Sequence, residues 1–339
     1  MTIRYAPADR QRIVRCDVTR IPDEADAETR ALLEWVAEAK PPPLHGMSAP
    51  DARATFNERR QRTDLDPVSV ARIEDRAIDG PAGLIPIRLY APHGPADGAL
   101  PTLVYYHGGG FVIGDLDSHD SVCRRIALGG DCLVMAVDYR LAPEHPYPAA
   151  AEDAIAALDW TVANATEIGG DPARLAVGGD SAGGKLAAVA AQHARDNDYR
   201  QVRLQALIYP AVDPVTPTDS RKRFADVFPI DRDTVAWFHR CYFPDHDRAS
   251  EPWAAPGLVD DVSGLAPALI LTAGLDPLVD EARLYADRLA AAGVPVAYHC
   301  FDGTVHGFLG MGKVLPHAEQ AIDRVSAALR ESFSAAAAA

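Results

Sequence analysis

The chain has 339 residues, a hydrophobic fraction of 48% and a formal charge of −15, from 33 basic and 48 acidic residues. That length and apolar content fill a sizeable core and exclude a disordered, collagenous or disulfide-stapled chain. The acidic balance argues against nucleic acid and anionic membrane surfaces as partners.

Met1–Arg15 carries charges throughout, with no apolar stretch of the kind a secretory signal needs, and no apolar run reaches transmembrane length. A cytoplasmic location without stable membrane insertion is expected. The five cysteines, Cys16, Cys123, Cys132, Cys241 and Cys300, are odd in number and form no CxxC pair. They read as reduced, mostly buried thiols.

In chain order, Leu32, Leu33, Val36 and Ala39 recur at near-helical spacing within Asp23–Lys40, and Pro41-Pro42-Pro43 stops that helix. A second helix is predicted near Pro50–Thr63, with Pro50 in its first turn. Val68–Ile78 and Leu84–Tyr90, separated by Asp79-Gly80, read as an antiparallel pair. Strand and helix then alternate. Strands are expected at Leu103–Tyr106, Cys132–Tyr139, Leu175–Val177 and Leu204–Tyr209, and helices at Asp117–Leu128, Ala149–Ala165 and Ala182–Asp196. Residues 211 to about 264 look irregular, rich in Pro, Asp and aromatics. Alternation resumes with the strand Ala268–Leu271, the helix Val279–Ala292, the strand Val296–Phe301 and the helix Pro316–Ser332. Ala335–Ala339 reads as a frayed tail. Such alternation implies an α/β fold with a mainly parallel sheet flanked by helices. The interruptions at 1–65 and 211–264 are read together as one cap, with 66–210 and 265–339 as the catalytic body.

Gly179-Asp180-Ser181-Ala182-Gly183 follows a strand and opens a helix, the setting of a nucleophile elbow. Flanking glycines let the chain turn sharply, and the helix N-terminus offers amides near a developing oxyanion. Alone, the pattern also fits a glycine-rich turn that only packs. His107-Gly108-Gly109-Gly110 follows the strand Leu103–Tyr106 and can turn backbone amides toward a substrate oxygen. It lacks the GK[ST] of a phosphate loop and the phasing of a dinucleotide fingerprint. The two motifs together, in this order, are specific.

The acid and base follow in the order Ser, Asp, His. Asp276 lies just beyond the strand ending near Leu275. Asp280 is the weaker candidate; it and Glu281 fall inside the next helix and suit capping or surface roles. His306 sits in Gly303–Phe308, read as a flexible loop, whereas His299 lies within a strand and His317 begins the last helix. Ser181, Asp276 and His306 are therefore the candidate catalytic residues.

Tyr106–Phe111, Gly179–Gly184, Asp138–His145, Asp276-Pro277-Leu278 and His306-Gly307-Phe308 resemble the bacterial hormone-sensitive-lipase-like esterases, family IV. The resemblance covers about residues 70–330. It implies an eight-stranded α/β-hydrolase sheet with a helical cap, and an oxyanion hole of the Gly109, Gly110 and Ala182 amides. It also implies hydrolysis of short to medium acyl esters without metal or organic cofactor, and a homodimer paired along an edge strand such as Val296–Phe301. The chain departs from the family at Lys185, where Asn is frequent. That lysine either alters hydrogen bonding under the elbow or points to solvent. The Asp138–His145 stretch reads as structural. Phe224, Phe228, Trp237 and Phe238 are candidates for shaping a pocket or simply for packing. A lactonase, amidase or carbamate hydrolase on the same triad is the alternative within hydrolases. A small-molecule receptor on the hydrolase scaffold is the alternative outside them.

Overall fold

The computed structural model describes residues 21–92 and 98–334. Cys16, the first part of the expected cap and the terminal alanines lie outside the described residues. The hairpin is β1 (Arg72–Gly80) and β2 (Gly83–Ala91), closed by a turn at Pro81-Ala82. Six further strands follow: β3 (Leu100–Tyr106), β4 (Leu133–Val137), β5 (Gly170–Asp180), β6 (Val202–Ile208), β7 (Ala268–Leu275) and β8 (Val296–Val305). They form one eight-stranded sheet in the order β1-β2-β4-β3-β5-β6-β7-β8. Only the β1–β2 and β2–β4 pairings are antiparallel; from β4 to β8 every pairing is parallel.

A parallel sheet must be covered on both faces, and the strand residues divide accordingly. Val104, Val177 and Ile270 pack on one face with α4 (Ala149–Asn164), α5 (Ala182–Asp196) and α8 (Val279–Ala291). Leu103, Tyr105, Ile208 and Leu271 pack on the other with α1 (Ala27–Ala39), α3 (Asp120–Gly130) and α9 (His317–Ser334). Neighbouring residues of one strand thus feed opposite halves of the core.

The strands are longer than the apolar runs suggest. β5 extends back to Gly170, which pairs with Leu100. β8 continues through Gly303-Thr304-Val305, and Val305 pairs with Leu275. His306 therefore follows a strand end directly rather than sitting in a flexible loop. Backbone pairing holds polar and glycine residues that hydrophobic pattern cannot assign to a strand.

The 211–264 stretch is also more ordered than its composition suggests. It contains α6 (Asp219–Arg223) and α7 (Arg232–Tyr242). Asp231 caps α7 by accepting the Thr234 amide at 2.8 Å. Toward the N-terminus, α1 is capped by Asp26 and stops at Lys40, whose backbone is left-handed, just before the three prolines. α2 (Ala49–Thr63) offers little apolar surface and is fastened by arginines instead. Arg53 donates to the carbonyls of Val112 and Ala142, and Arg60 donates twice to that of Ser118.

Among the described residues no helix is long and apolar enough to cross a membrane. The four described cysteines are free thiols. Ile270 is fully buried at the centre of β7. Ile270→Ala should cost about 2–5 kcal/mol of unfolding free energy, measurable by urea titration; a loss under about 1 kcal/mol would mean the site collapses freely around the cavity.

Candidate active site

At the C-terminal end of β5 the chain reverses into α5, and Ser181 stands at the reversal with φ 55° and ψ −116°. A non-glycine residue with such a backbone is strained, and surrounding structure must hold it there. Close packing does so. A Cβ on Gly183 would collide with the carbonyl oxygen of Tyr106, the last residue of β3. Glycine at this position lets the start of α5 press against the neighbouring strand, lifting the Ser181 side chain above the sheet.

His306 Nε2 lies 2.8 Å from Ser181 Oγ, and His306 Nδ1 lies 2.6 Å from Asp276 Oδ2. The second oxygen of Asp276 accepts the Leu278 amide at 2.8 Å. Asp276 is wholly buried and His306 nearly so. A carboxylate only accepts, so the Nδ1 hydrogen faces Asp276 and Nε2 is left to accept from the serine hydroxyl. The structure brings the three predicted residues into one hydrogen-bonded line. Asp280, the weaker candidate, instead accepts the Ser220 amide at the start of α6. His299 and His317 lie away from Ser181, packed against Phe301.

The glycine loop after β3 comes alongside. Gly109 has φ 126°, and a Cβ there would collide with the Ile113 carbonyl, so only glycine fits the turn. Among the described residues the amides of Gly109 and Gly110 donate to no protein acceptor, whereas the Gly108 amide is engaged. Ala182 is the first residue of α5, where amides lack an intrahelical acceptor.

Sequence reasoning passed over the group that joins this loop to the elbow. Asp180 Oδ1 accepts the Tyr105 hydroxyl at 2.8 Å and the Gly108 amide at 3.0 Å, and lies 3.3 Å from His119 Nε2. Burial alone would push this carboxyl up. The charge and hydrogen bond of His119, with Arg60 and Tyr105, outweigh it and hold Asp180 well below the usual carboxylate range. His107, stacked on Tyr139 with centroids 4.3 Å apart, is pushed down to about 4 by burial and by His119. It is neutral at pH 7, with Nδ1 facing the Gly108 carbonyl at 2.8 Å.

Two cavities meet at Ser181. The smaller, about 60 Å³, is lined by Ala182, Lys185, Phe111, Phe238, Tyr242 and Glu281 among others. The larger, about 270 Å³, runs between α1, α2 and the His306–Met311 segment. Of the four candidate aromatics, Phe238 borders both cavities and Phe228 the larger one, while Phe224 and Trp237 are core residues. Lys185 and Glu281 are both buried, not solvent-facing as surface roles would require. Glu281 accepts from Arg221 at 2.6 Å and from the Asp213 amide at 3.0 Å. Among the described residues no three His, Cys, Asp or Glu side chains converge as metal ligands.

Known proteins resemble the chain over most of its length. A sequence profile of the alpha/beta hydrolase fold matches residues 103–310. The esterase LipI of Mycobacterium tuberculosis is 47% identical over 261 residues, 76% of this chain and 82% of its own. The carboxylesterase NlhH of the same species is 44% identical over 290 residues, 84% of this chain and 89% of its own. Among solved structures, the ester-hydrolase EH1AB1 from the metagenome of Lake Arreo, complexed with a bipyridine phosphonate derivative, superposes with a TM-score of 0.88. It is 42% identical, with 91% of this chain and 99% of that one covered.

The depressed His107 sets a pH dependence of stability. Below its ordinary 6.5 the unfolded chain takes up a proton that the folded chain refuses until about pH 4. The stabilisation is complete above pH 6.5 and is lost as pH falls through that window, by about 1.4 kcal/mol per unit. Urea unfolding at pH 7 and pH 5 should show a steeper loss in wild type than in His107→Gln; equal losses would contradict the assignment.

Proposed function

This chain belongs to the α/β-hydrolase family of hormone-sensitive-lipase-like esterases, and we propose that it hydrolyses short-acyl carboxylic esters through a Ser181–His306–Asp276 triad and an acyl-enzyme. Ester hydrolysis is the activity for which its relatives LipI, NlhH and EH1AB1 are named. The observation that carries the reading is the unbroken line of hydrogen bonds from buried Asp276 through His306 to Ser181.

In the proposed cycle, Ser181 Oγ attacks the ester carbonyl as its proton passes to His306 Nε2. Asp276 holds the ring in the required tautomer and stabilises the imidazolium. The carbonyl oxygen gains negative charge and is met by the amides of Gly109, Gly110 and Ala182. His306 then gives its proton to the leaving alcohol, and the acyl group remains on Ser181. Water, deprotonated by His306, attacks the acyl-enzyme and releases the acid. One ester and one water become one acid and one alcohol.

The two cavities suit the two halves of the ester. The alcohol departs beside His306, and the larger cavity is the one that continues past His306 to Gly307, Gly310 and Met311. The smaller follows α5 from Ser181 through Ala182 to Lys185, and takes the acyl group. Its volume of about 60 Å³ admits only a few heavy atoms. Phe238 closes it so tightly that a Cβ on Gly110 would strike the ring. The receptor alternative draws less support, because ligand binding needs no serine held against a buried histidine–aspartate pair.

Ser181→Ala should lower kcat on p-nitrophenyl acetate by at least about 10⁴-fold, and Asp276→Asn by a comparable factor. An organophosphonate should add once to wild type and not to Ser181→Ala by intact mass; undiminished turnover in that variant would remove the triad reading. Across p-nitrophenyl esters, acetyl to butyryl chains should exceed octanoyl by about tenfold or more in kcat/KM, since one methylene in a closed pocket is worth 10-fold or more. Phe238→Ala should move the optimum toward longer chains, and an unchanged profile would mean the small cavity does not hold the acyl group.

A further inference from the structure

Lys185 is one helical turn beyond Ser181, its amide donating to the Ser181 carbonyl at 3.1 Å. It is 2% exposed and lines the small cavity. Its ammonium lies 5.2 Å from the Phe111 ring centroid and 5.6 Å from that of Phe243. Among the described residues no acceptor is in hydrogen-bonding position to Nζ, and no carboxylate is within ion-pair distance. Nζ is not among the buried atoms left without a partner, so it faces the open space of the cavity. Two ring faces meet only part of an ammonium's need for a pairing or hydrogen-bonding partner.

The acid across the cavity does not fill that place. Glu281 accepts from Arg221 through one oxygen and from the Asp213 amide through the other, and forms no ion pair with Nζ. Asp213 spends Oδ1 on the amides of Val215 and Thr216. His239, on α7, is pushed down to about 3 by burial and by the positive charges of Lys185 and Arg221, so it is neutral at pH 7. The charged side chains lining the small cavity are Lys185, Arg221 and Glu281, and burial pushes the Glu281 carboxyl up to about 7, so the lining is net positive in a protein whose net charge is −15.

We propose that Lys185 makes the small cavity selective for short acyl groups whose far end carries an oxygen acceptor, a carboxylate or a carbonyl, which its ammonium binds. The inference rests on the esterase reading and on the assignment of this cavity to the acyl group. A charge-assisted hydrogen bond in a buried site is strong and directional, and it would leave the cavity's apolar walls to Phe111, Phe238 and Tyr242. Monoesters of short dicarboxylic acids and short keto-acid esters are the matching chemistry. Lys185 is then a specificity residue, with no part in the proton transfers at Ser181.

The test compares three ethyl esters of similar tail length by pH-stat: valerate (apolar), levulinate (neutral acceptor) and monoethyl succinate (anionic). For each acceptor ester the quantity read is its kcat/KM divided by that of valerate. Lys185→Met should lower at least one of the two ratios by fivefold or more relative to wild type. A succinate-only fall identifies the anionic class, and a fall for both identifies any terminal oxygen. Falls under fivefold in both ratios overturn the inference, while Ser181-dependent turnover of valerate would leave the esterase reading standing. No Ser181-dependent turnover of any ester in wild type would instead overturn that reading first.

If Lys185→Met does not fold, judged by loss of phosphonate labelling, wild type alone decides. Burial pushes the Lys185 ammonium down to about 8, against the pull of Glu281 and Asp213 and with the push of Arg221. Burial also pushes the Glu281 carboxyl up to about 7, so the succinate-to-valerate or levulinate-to-valerate ratio is read from pH 8 to 10, where Glu281 is already ionised and His306 is common to both esters. It should fall across that range. Flat ratios across that range overturn the inference.

Discussion

The reversal at Ser181 is the constraint to which the rest of the site is fitted. A left-handed serine is unfavourable by itself, and it survives because β3, β5 and α5 are packed too closely for any other path. The carbonyl of Tyr106 sits where a Gly183 side chain would be. The Ser181 amide donates to Ile208 on β6, so the neighbouring strands grip the turn from both sides. The strain is thus maintained by a core that extends across the sheet, and the hydroxyl is aimed before any substrate arrives.

Asp180 carries that rigidity to the glycine loop. Its buried carboxylate gathers a hydroxyl from β3, an amide from the loop and a histidine from the start of α3. These groups arrive from three elements, and one acceptor fixes their mutual positions. The charge and hydrogen bond of His119, with Arg60 and Tyr105, outweigh burial and hold the carboxyl well below its usual range, so the anchor is an acceptor for all three groups. The free amides of Gly109 and Gly110 inherit a fixed place relative to Ser181, which is what preorganised stabilisation of charge requires.

Much of this was legible in the sequence, for reasons that can be assigned to particular residues. Ser181, Asp276 and His306 each follow a strand closely in the order Ser, Asp, His, so alternation and order locate them, although the apolar run before His306 ends at Phe301 and the strand runs on to Val305. Asp180 occupies the variable position of its motif, and its partners Tyr105 and His119 become neighbours only through the strand order β3-β5. Glu281 looks like a residue for a helix surface until Arg221, sixty positions earlier, is folded against it. Lys185 falls four residues after Ser181, a spacing that points it along the same helical face. The direction of that face, inward under α7, depends on the 211–264 stretch, whose composition conceals two helices. What pattern misses is long-range pairing of polar groups, since periodicity reports only which residues avoid water.

The arginine fastening of α2 gives the two cavities different mechanical characters. The small cavity is walled by core aromatics and by Arg221 with the buried Lys185 and Glu281, whereas one side of the large cavity is a polar helix tied down by guanidinium-to-carbonyl bonds from Arg53 and Arg60. Those bonds are part-buried, and beside them α2 places only Ala49, Ala52 and Phe56 against the core. Local opening there is therefore far cheaper than global unfolding. Under mild urea or warming, and on the proposed placement of the ester, the wall facing the alcohol would loosen while the acyl side and the serine remain in register. Tolerance toward bulky alcohols would broaden before the acyl preference changes, so breadth of substrate range becomes a property of solvent and temperature as well as of sequence.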